Sequence, residues 1–171
     1  MKLWIALAVA LLLGACATYN GNELRPGEDR LENVLQVMGT PAKRWDNADG
    51  SILLAYPRGP WGFHTFMVSI GTDGKLQQIE NVMDQKYFTL IKPGMTQEEV
   101  LHILGPSSPS FTNYFKARNE LVWEWRYCNL WNEASRFDVL FDNSQSTVRK
   151  TLSQTEALMG LCGEGSCLCS K

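Results

Sequence analysis

Histidine is nearly missing from this chain, and so are the short motifs that mark most enzymes. Two histidines, His64 and His102, are present, with no Gly-x-Ser-x-Gly elbow and no Gly-rich phosphate loop. The signatures of serine hydrolases and nucleotide-binding enzymes are thereby lacking. No catalytic residue, no cofactor and no enzymatic activity is expected. Charge of one sign is also lacking: 16 basic against 18 acidic residues leave a formal net charge of −2. That balance argues against nucleic acid as a partner and against a polybasic patch on a membrane. Long apolar runs are short of what a membrane needs. The run at residues 3–13 holds eleven residues, where a spanning helix needs roughly 20.

That run fits instead the apolar centre of an export signal, with Lys2 before it and small residues after it. Leu13-Gly14-Ala15-Cys16 resembles the lipobox of bacterial lipoproteins: Leu, two small residues, then the acceptor Cys. Small side chains admit the peptidase to the backbone, and only a thiol forms the thioether to diacylglycerol. Ordinary cleavage after Ala17 is the rival reading, because Ala15-Cys16-Ala17 also fits a small-x-small site. The lipobox reading makes residues 1–15 a lipoprotein signal peptide and Cys16 the lipidation site. Its acyl chains, palmitate among them, are then held in membrane lipid at about 0.8 kcal/mol per buried CH₂. Ala17 stands where Asp tends to retain such proteins in the inner membrane. The resemblance therefore implies the outer membrane, lipid-anchored and facing the periplasm. Removing residues 1–15 takes away Lys2 and no acid, which moves the net charge from −2 to −3.

Residues 16–23 are polar and turn-rich and read as a lipidated tether. Beyond them the chain says the same thing twice. Leu24-Arg25-Pro26-Gly27 is answered by Ile91-Lys92-Pro93-Gly94, and Val34-Leu35-Gln36-Val37-Met38-Gly39 by Val100-Leu101-His102-Ile103-Leu104-Gly105. Phe66-Met67-Val68-Ser69-Ile70 is answered by Phe137-Asp138-Val139-Leu140-Phe141. Leu31, Val34, Leu35 and Met38 share one helical face. In the second copy Thr96 and Glu99 have the spacing of a capping box, and Gly105-Pro106 is a stop signal. His102 falls off the apolar stripe and reads as solvated. Asp73-Gly74 marks a hairpin turn. Trp123, Trp125 and Tyr127 share one strand face, with Glu124 and Arg126 on the other, outward one. The expected fold is α+β: two tandem helix-plus-three-strand antiparallel units, residues 24–85 and 86–152. A Cys/Gly-rich C-terminal tail follows at 153–171.

Pro93-Gly94-Met95-Thr96-Gln97-Glu98-Glu99-Val100, followed by Leu104-Gly105-Pro106, resembles the opening motif of the SmpA/OmlA (BamE-like) outer-membrane lipoproteins. Trp123-Glu124-Trp125-Arg126-Tyr127 and residues 137–142 are similar to that family's strands. The resemblance covers residues 88–150 well and 24–83 more loosely. The first copy departs from it, with Gly27-Glu28-Asp29-Arg30 where Gly-Met-Thr is expected. Two units in tandem are also similar to the β-lactamase inhibitory protein fold, in which they share one long, curved sheet. The family resemblance implies a non-catalytic protein–protein adaptor in outer-membrane β-barrel assembly or envelope integrity. Its partner would be an envelope protein such as the β-barrel assembly machinery. The tandem fold implies a second reading, a binding module that inhibits or sequesters an envelope enzyme.

Two sets of residues are left to carry function. Cys128, Cys162, Cys167 and Cys169 are disulfide candidates in an oxidising compartment, with three complete pairings open to them. The Cys-x₄-Cys-x-Cys spacing is poor for tetrahedral zinc, so no metal is expected. The loop Pro57-Arg58-Gly59-Pro60-Trp61-Gly62, followed by Phe63 and His64, is the other set. Its prolines and glycines shape a rigid tip. Either Trp61 folds back on the sheet, or Arg58, Trp61, Phe63 and His64 form a partner-binding surface of the Trp- and Arg-rich kind.

Overall fold

A computed structural model of the chain describes residues 20–162 and 167–169. The signal peptide, Cys16 and the start of the tether lie outside the described residues. The chain is packed on its domain from Gly21 onward. Gly21 adopts φ +69°, and a Cβ there would stand 2.9 Å from Met38 Sδ and 3.0 Å from Ile79 Cδ1.

The described chain is mostly β, in two four-stranded antiparallel meanders. The first runs β1 (Lys43–Asp46), β2 (Ile52–Pro57), β3 (Thr65–Ile70) and β4 (Leu76–Asn81). The second runs β5 (Thr112–Phe115), β6 (Glu120–Cys128), β7 (Ala134–Asp142) and β8 (Thr147–Thr155). Around them are three short helices: α1 (Leu31–Met38), α2 (Gln85–Phe88) and α3 (Gln97–Leu104). The expected α+β fold of two helix-plus-three-strand antiparallel units is thus corrected. Each sheet has a fourth strand, and the helices are too few and short to set the class. The missed strands, β1 and β5, are four-residue edges. Only Trp45 of β1 is buried and all of β5 is exposed, so neither shows the alternation by which a strand is read. The sheets are also two, not the single curved sheet of the inhibitory-protein resemblance.

The first sheet is covered on both faces, which explains the unbroken apolar run Ile52-Leu53-Leu54-Ala55-Tyr56 in β2. Leu54, Tyr56, Phe66, Val68 and Ile70 point to one side and pack with Val34 and Met38 of α1. Leu35, expected in the same stripe, is 37% exposed; the covered arc of α1 is narrower than its apolar arc. On the opposite side, Trp45, Ala55 and Met67 join a second core with Val100 and Leu104 of α3. Trp125, Tyr127, Phe137, Val139 and Phe141 of the second sheet complete that core. α3 therefore packs on both sheets, and Phe88 of α2 joins the same core. Burying Val100 and Leu104 completely contributes roughly 1.5–3 kcal/mol each.

Local chemistry fixes where α3 begins and ends. Glu99 N donates to Thr96 Oγ1 at 3.3 Å, and Thr96 N donates to Glu99 Oε2 at 2.7 Å, which is the capping box. Gly105 closes the helix at φ +67° with no room for a side chain: a Cβ would lie 2.9 Å from Thr65 Cγ2 and 3.3 Å from Ala55 Cβ. From the other sheet, Trp125 Nε1 donates to Gly105 O at 3.3 Å. Both sheets carry a register shift at the end of their third strand, between Ser69 and Ile70 and between Leu140 and Phe141.

Candidate functional site

The aromatic residues of β6 and β7 face the core shared with α2 and α3, so the alternate residues define the second sheet's other face. There Glu124 stands directly across from Asp138, and Arg126 across from Arg136. Like charges opposite one another destabilise a strand pair, and this sheet has two such pairs side by side. Glu156, just past β8, offsets one of them. Its carboxylate accepts a fork from Arg126, Nε at 2.7 Å and Nη2 at 2.8 Å, and a third bond from Arg136 Nε at 2.5 Å. Arg136 Nη1 donates to Glu124 Oε1 at 2.6 Å. These guanidinium contacts, Arg126 first, hold the buried Glu156 carboxyl below its ordinary range.

Asp138 is the odd member. Burial first, and the neighbouring Glu124 second, push its carboxyl up to about 7. Its Oδ1 is buried without a hydrogen-bond donor. A proton shared with Glu124 answers both facts, because two facing carboxylates cannot both ionise cheaply.

The loop of residues 57–64, between β2 and β3, lies over this face. Arg126 reaches it twice: its guanidinium sits 4.1 Å from the Phe63 ring centroid, and its Nη1 donates to Trp61 O at 2.6 Å. Phe111 covers the neighbouring Arg136 in the same way, at 4.2 Å. The loop closes on itself through Arg58 N donating to His64 O at 2.9 Å. A Cβ at Gly62 would run into the Arg58 carbonyl, so only glycine fits there. The Gly59–Pro60 peptide is cis. Beneath the loop is a cavity of about 20 Å³ lined by Pro57, His64, Phe111, Glu124 and Arg126, room for about one water.

The four loop residues named from the sequence fall into two groups. Trp61 projects outward, 71% exposed, with its ring edge-on to Phe111 at 6.3 Å. Phe63 is the platform for Arg126, Arg58 lies over the Tyr56 ring at 5.7 Å, and His64 stacks on Phe66 at 5.7 Å. Burial holds the His64 imidazole below its ordinary pKa. One residue of the four thus faces solvent, and the other three build its support. The sequence placed Glu124 and Arg126 on an outward face; the structure puts that face under the loop. Glu156, in what reads as tail, was missed entirely, and no local pattern marks it.

His102, read as solvated, packs at a tilt against the Trp45 ring, centroids 4.5 Å apart, with Nε2 3.7 Å from Glu98 Oε1. Glu98 also accepts from Lys43 Nζ at 2.8 Å and from the Trp45 indole N–H. This cluster ties the edge strand β1 to α3. Glu99-Val100-Leu101-His102 has Glu-x-x-His spacing, but the Glu99 carboxylate is engaged by Thr96. Among the described residues no three His, Cys, Asp or Glu side chains gather as a metal site. The four described cysteines pair as Cys128–Cys169 and Cys162–Cys167, which leaves none of them as a thiolate ligand.

Compared with protein-family models, curated proteins and solved structures, the chain matches none.

Proposed function

We propose that this protein is a non-catalytic lipoprotein of the bacterial outer membrane that docks an envelope protein through Trp61, as an adaptor in β-barrel assembly or envelope integrity. The observation that carries the reading is the exposed Trp61 side chain on a backbone fixed from below by Arg126 and Phe63. An aromatic anchor held in place before binding loses little freedom on binding. The lipobox at Cys16 and the likeness of residues 93–106 to the SmpA/OmlA (BamE-like) motif support the location and the class of partner. Confinement to a membrane raises effective concentration, so a modest surface suffices.

Capture of partners from detergent-solubilised membranes tests the proposal. Barrel-assembly subunits are expected with the wild-type protein, and Trp61→Ala should lose about 2 kcal/mol of affinity, near thirtyfold. Export and thermal stability of the variant should be unchanged. Undiminished capture by a folded Trp61→Ala protein would overturn the role of the loop. Capture of a hydrolase in place of assembly subunits would favour the enzyme-sequestering reading.

A further inference from the structure

Among the described residues, the most exposed large apolar side chains lie away from the Trp61 loop, at the end of the second sheet where β6 turns into β7 and at the turn after β8. Leu130 is 92% and Trp131 81% exposed at the tip of the β6–β7 turn. A second turn follows β8 and carries Leu158, 83% exposed, and Leu161. Neither tip bears a charge: the residues are Asn129-Leu130-Trp131-Asn132 and Ala157-Leu158-Met159-Gly160-Leu161. Both flank the start of β7. Glu156 N donates to Ala134 O at 2.8 Å, and Cys169 N donates to Asn132 O at 2.9 Å. Leu168, also exposed, bridges to Glu133. The disulfides Cys128–Cys169 and Cys162–Cys167 tie the backbones of these segments together.

We propose that this end dips into the apolar boundary of a lipid bilayer and gives the protein a second membrane contact besides Cys16. The inference rests on the reading of Cys16 as the anchor. Gly21, where packing on the domain begins, is five Cα-to-Cα steps beyond Cys16. Extended, they reach at most about 18 Å, so the folded part is held against the headgroup layer. Uncharged tips with an exposed leucine and a tryptophan beside it have the chemistry of that layer, where an indole is favoured at the polar–apolar boundary. An apolar contact of this kind needs no anionic lipid.

The test uses the purified mature protein on phosphatidylcholine vesicles whose acyl chains carry bromine, a contact quencher of indole emission. Quenching is expected in the wild type, to persist in Trp61→Phe and to disappear in Trp131→Phe. Leu130→Asp combined with Leu158→Asp should remove it as well, while melting temperature stays the same. Replacing part of the lipid by phosphatidylglycerol should change nothing. The proposal is overturned if the wild type is not quenched, if Trp131→Phe is quenched equally, or if quenching requires the anionic lipid. Intact mass of the same sample reports whether Cys16 is acylated. Should it not be, the anchor reading fails by itself. Sedimentation of that unacylated protein with vesicles then reads the tip alone, the wild type pelleting and the double variant at least tenfold less.

Discussion

Exchange of Asp138 for Asn probes the charged face directly, because burial and Glu124 favour the protonated form of the carboxyl it removes. Burial and Glu124 raise this carboxyl from 3.8 to about 7. Between those values the folded state holds a proton that the unfolded state has released. The stability this proton contributes is complete below about pH 4 and is lost as pH rises through about 7. The interval corresponds to about 4 kcal/mol. The side chain is partly exposed, and solvent screening reduces the expected effect to ~1–2 kcal/mol. Asn keeps the shape, supplies an amide donor toward Glu124 and never ionises. Denaturant unfolding of both proteins at pH 4 and pH 8 isolates the contribution of this carboxyl. Asp46, Asp49 and Glu99, whose own carboxyls are lowered by hydrogen bonds, titrate alike in both and cancel. Asp138→Asn should be more stable by ~1–2 kcal/mol at pH 8 and equal to wild type at pH 4. A difference that does not change with pH, or a variant weaker than wild type at pH 8, refutes the shared-proton account.

Gly105→Ala should destabilise by about 2–4 kcal/mol, from a left-handed backbone and from overpacking together. Its new methyl would press on Thr65 and Ala55, and an unchanged melting temperature would remove α3 as a joint between the sheets. Replacing Cys128 and Cys169 together by Ser opens a bridge between residues 41 apart in sequence. The chain-entropy cost is about 4 kcal/mol, read by denaturant unfolding under oxidising conditions; equal midpoints would mean that the bridge does not constrain the unfolded chain.

What was legible in the sequence was local. Thr96 and Glu99 lie three residues apart, and their capping box depends on nothing else. Gly74 takes φ +74° in the turn between β3 and β4, as the Asp73-Gly74 pair implied. The alternation of Trp123, Trp125 and Tyr127 marked β6 because one face of that strand packs on the core shared with α2 and α3. β1 and β5 stayed hidden because short edge strands bury little and so show no period. The charged face stayed hidden for a different reason. Glu124, Arg126, Arg136 and Asp138 alternate with apolar residues as a solvated face would. What buries them is a loop some 65 residues earlier in the chain, as the Arg126–Trp61 bond shows, together with Glu156 from beyond β8. A pattern along one strand carries no record of either.

That burial also bears on why Trp61 is held still. A strand pair with arginines facing and carboxyls facing is a poor sheet by itself, and its cost is offset only when the groups around it arrive. Glu156 gathers the two guanidiniums, Phe63 and Phe111 cover their faces, and Trp61 O accepts from Nη1, the Arg126 nitrogen that Glu156 does not engage. Lifting the loop would therefore do more than free a few residues. It would strip Arg126 of two partners and let water onto the Glu124–Asp138 pair. The loop is held down by the needs of the charges beneath it, through contacts that use its backbone and Phe63 and leave the Trp61 indole uncommitted. Fixing one backbone residue costs about 1–2 kcal/mol of conformational entropy, and folding has already ordered the whole turn. In the proposed docking, a partner that receives the indole does not bear that cost again, which is how a single exposed side chain can act as the anchor.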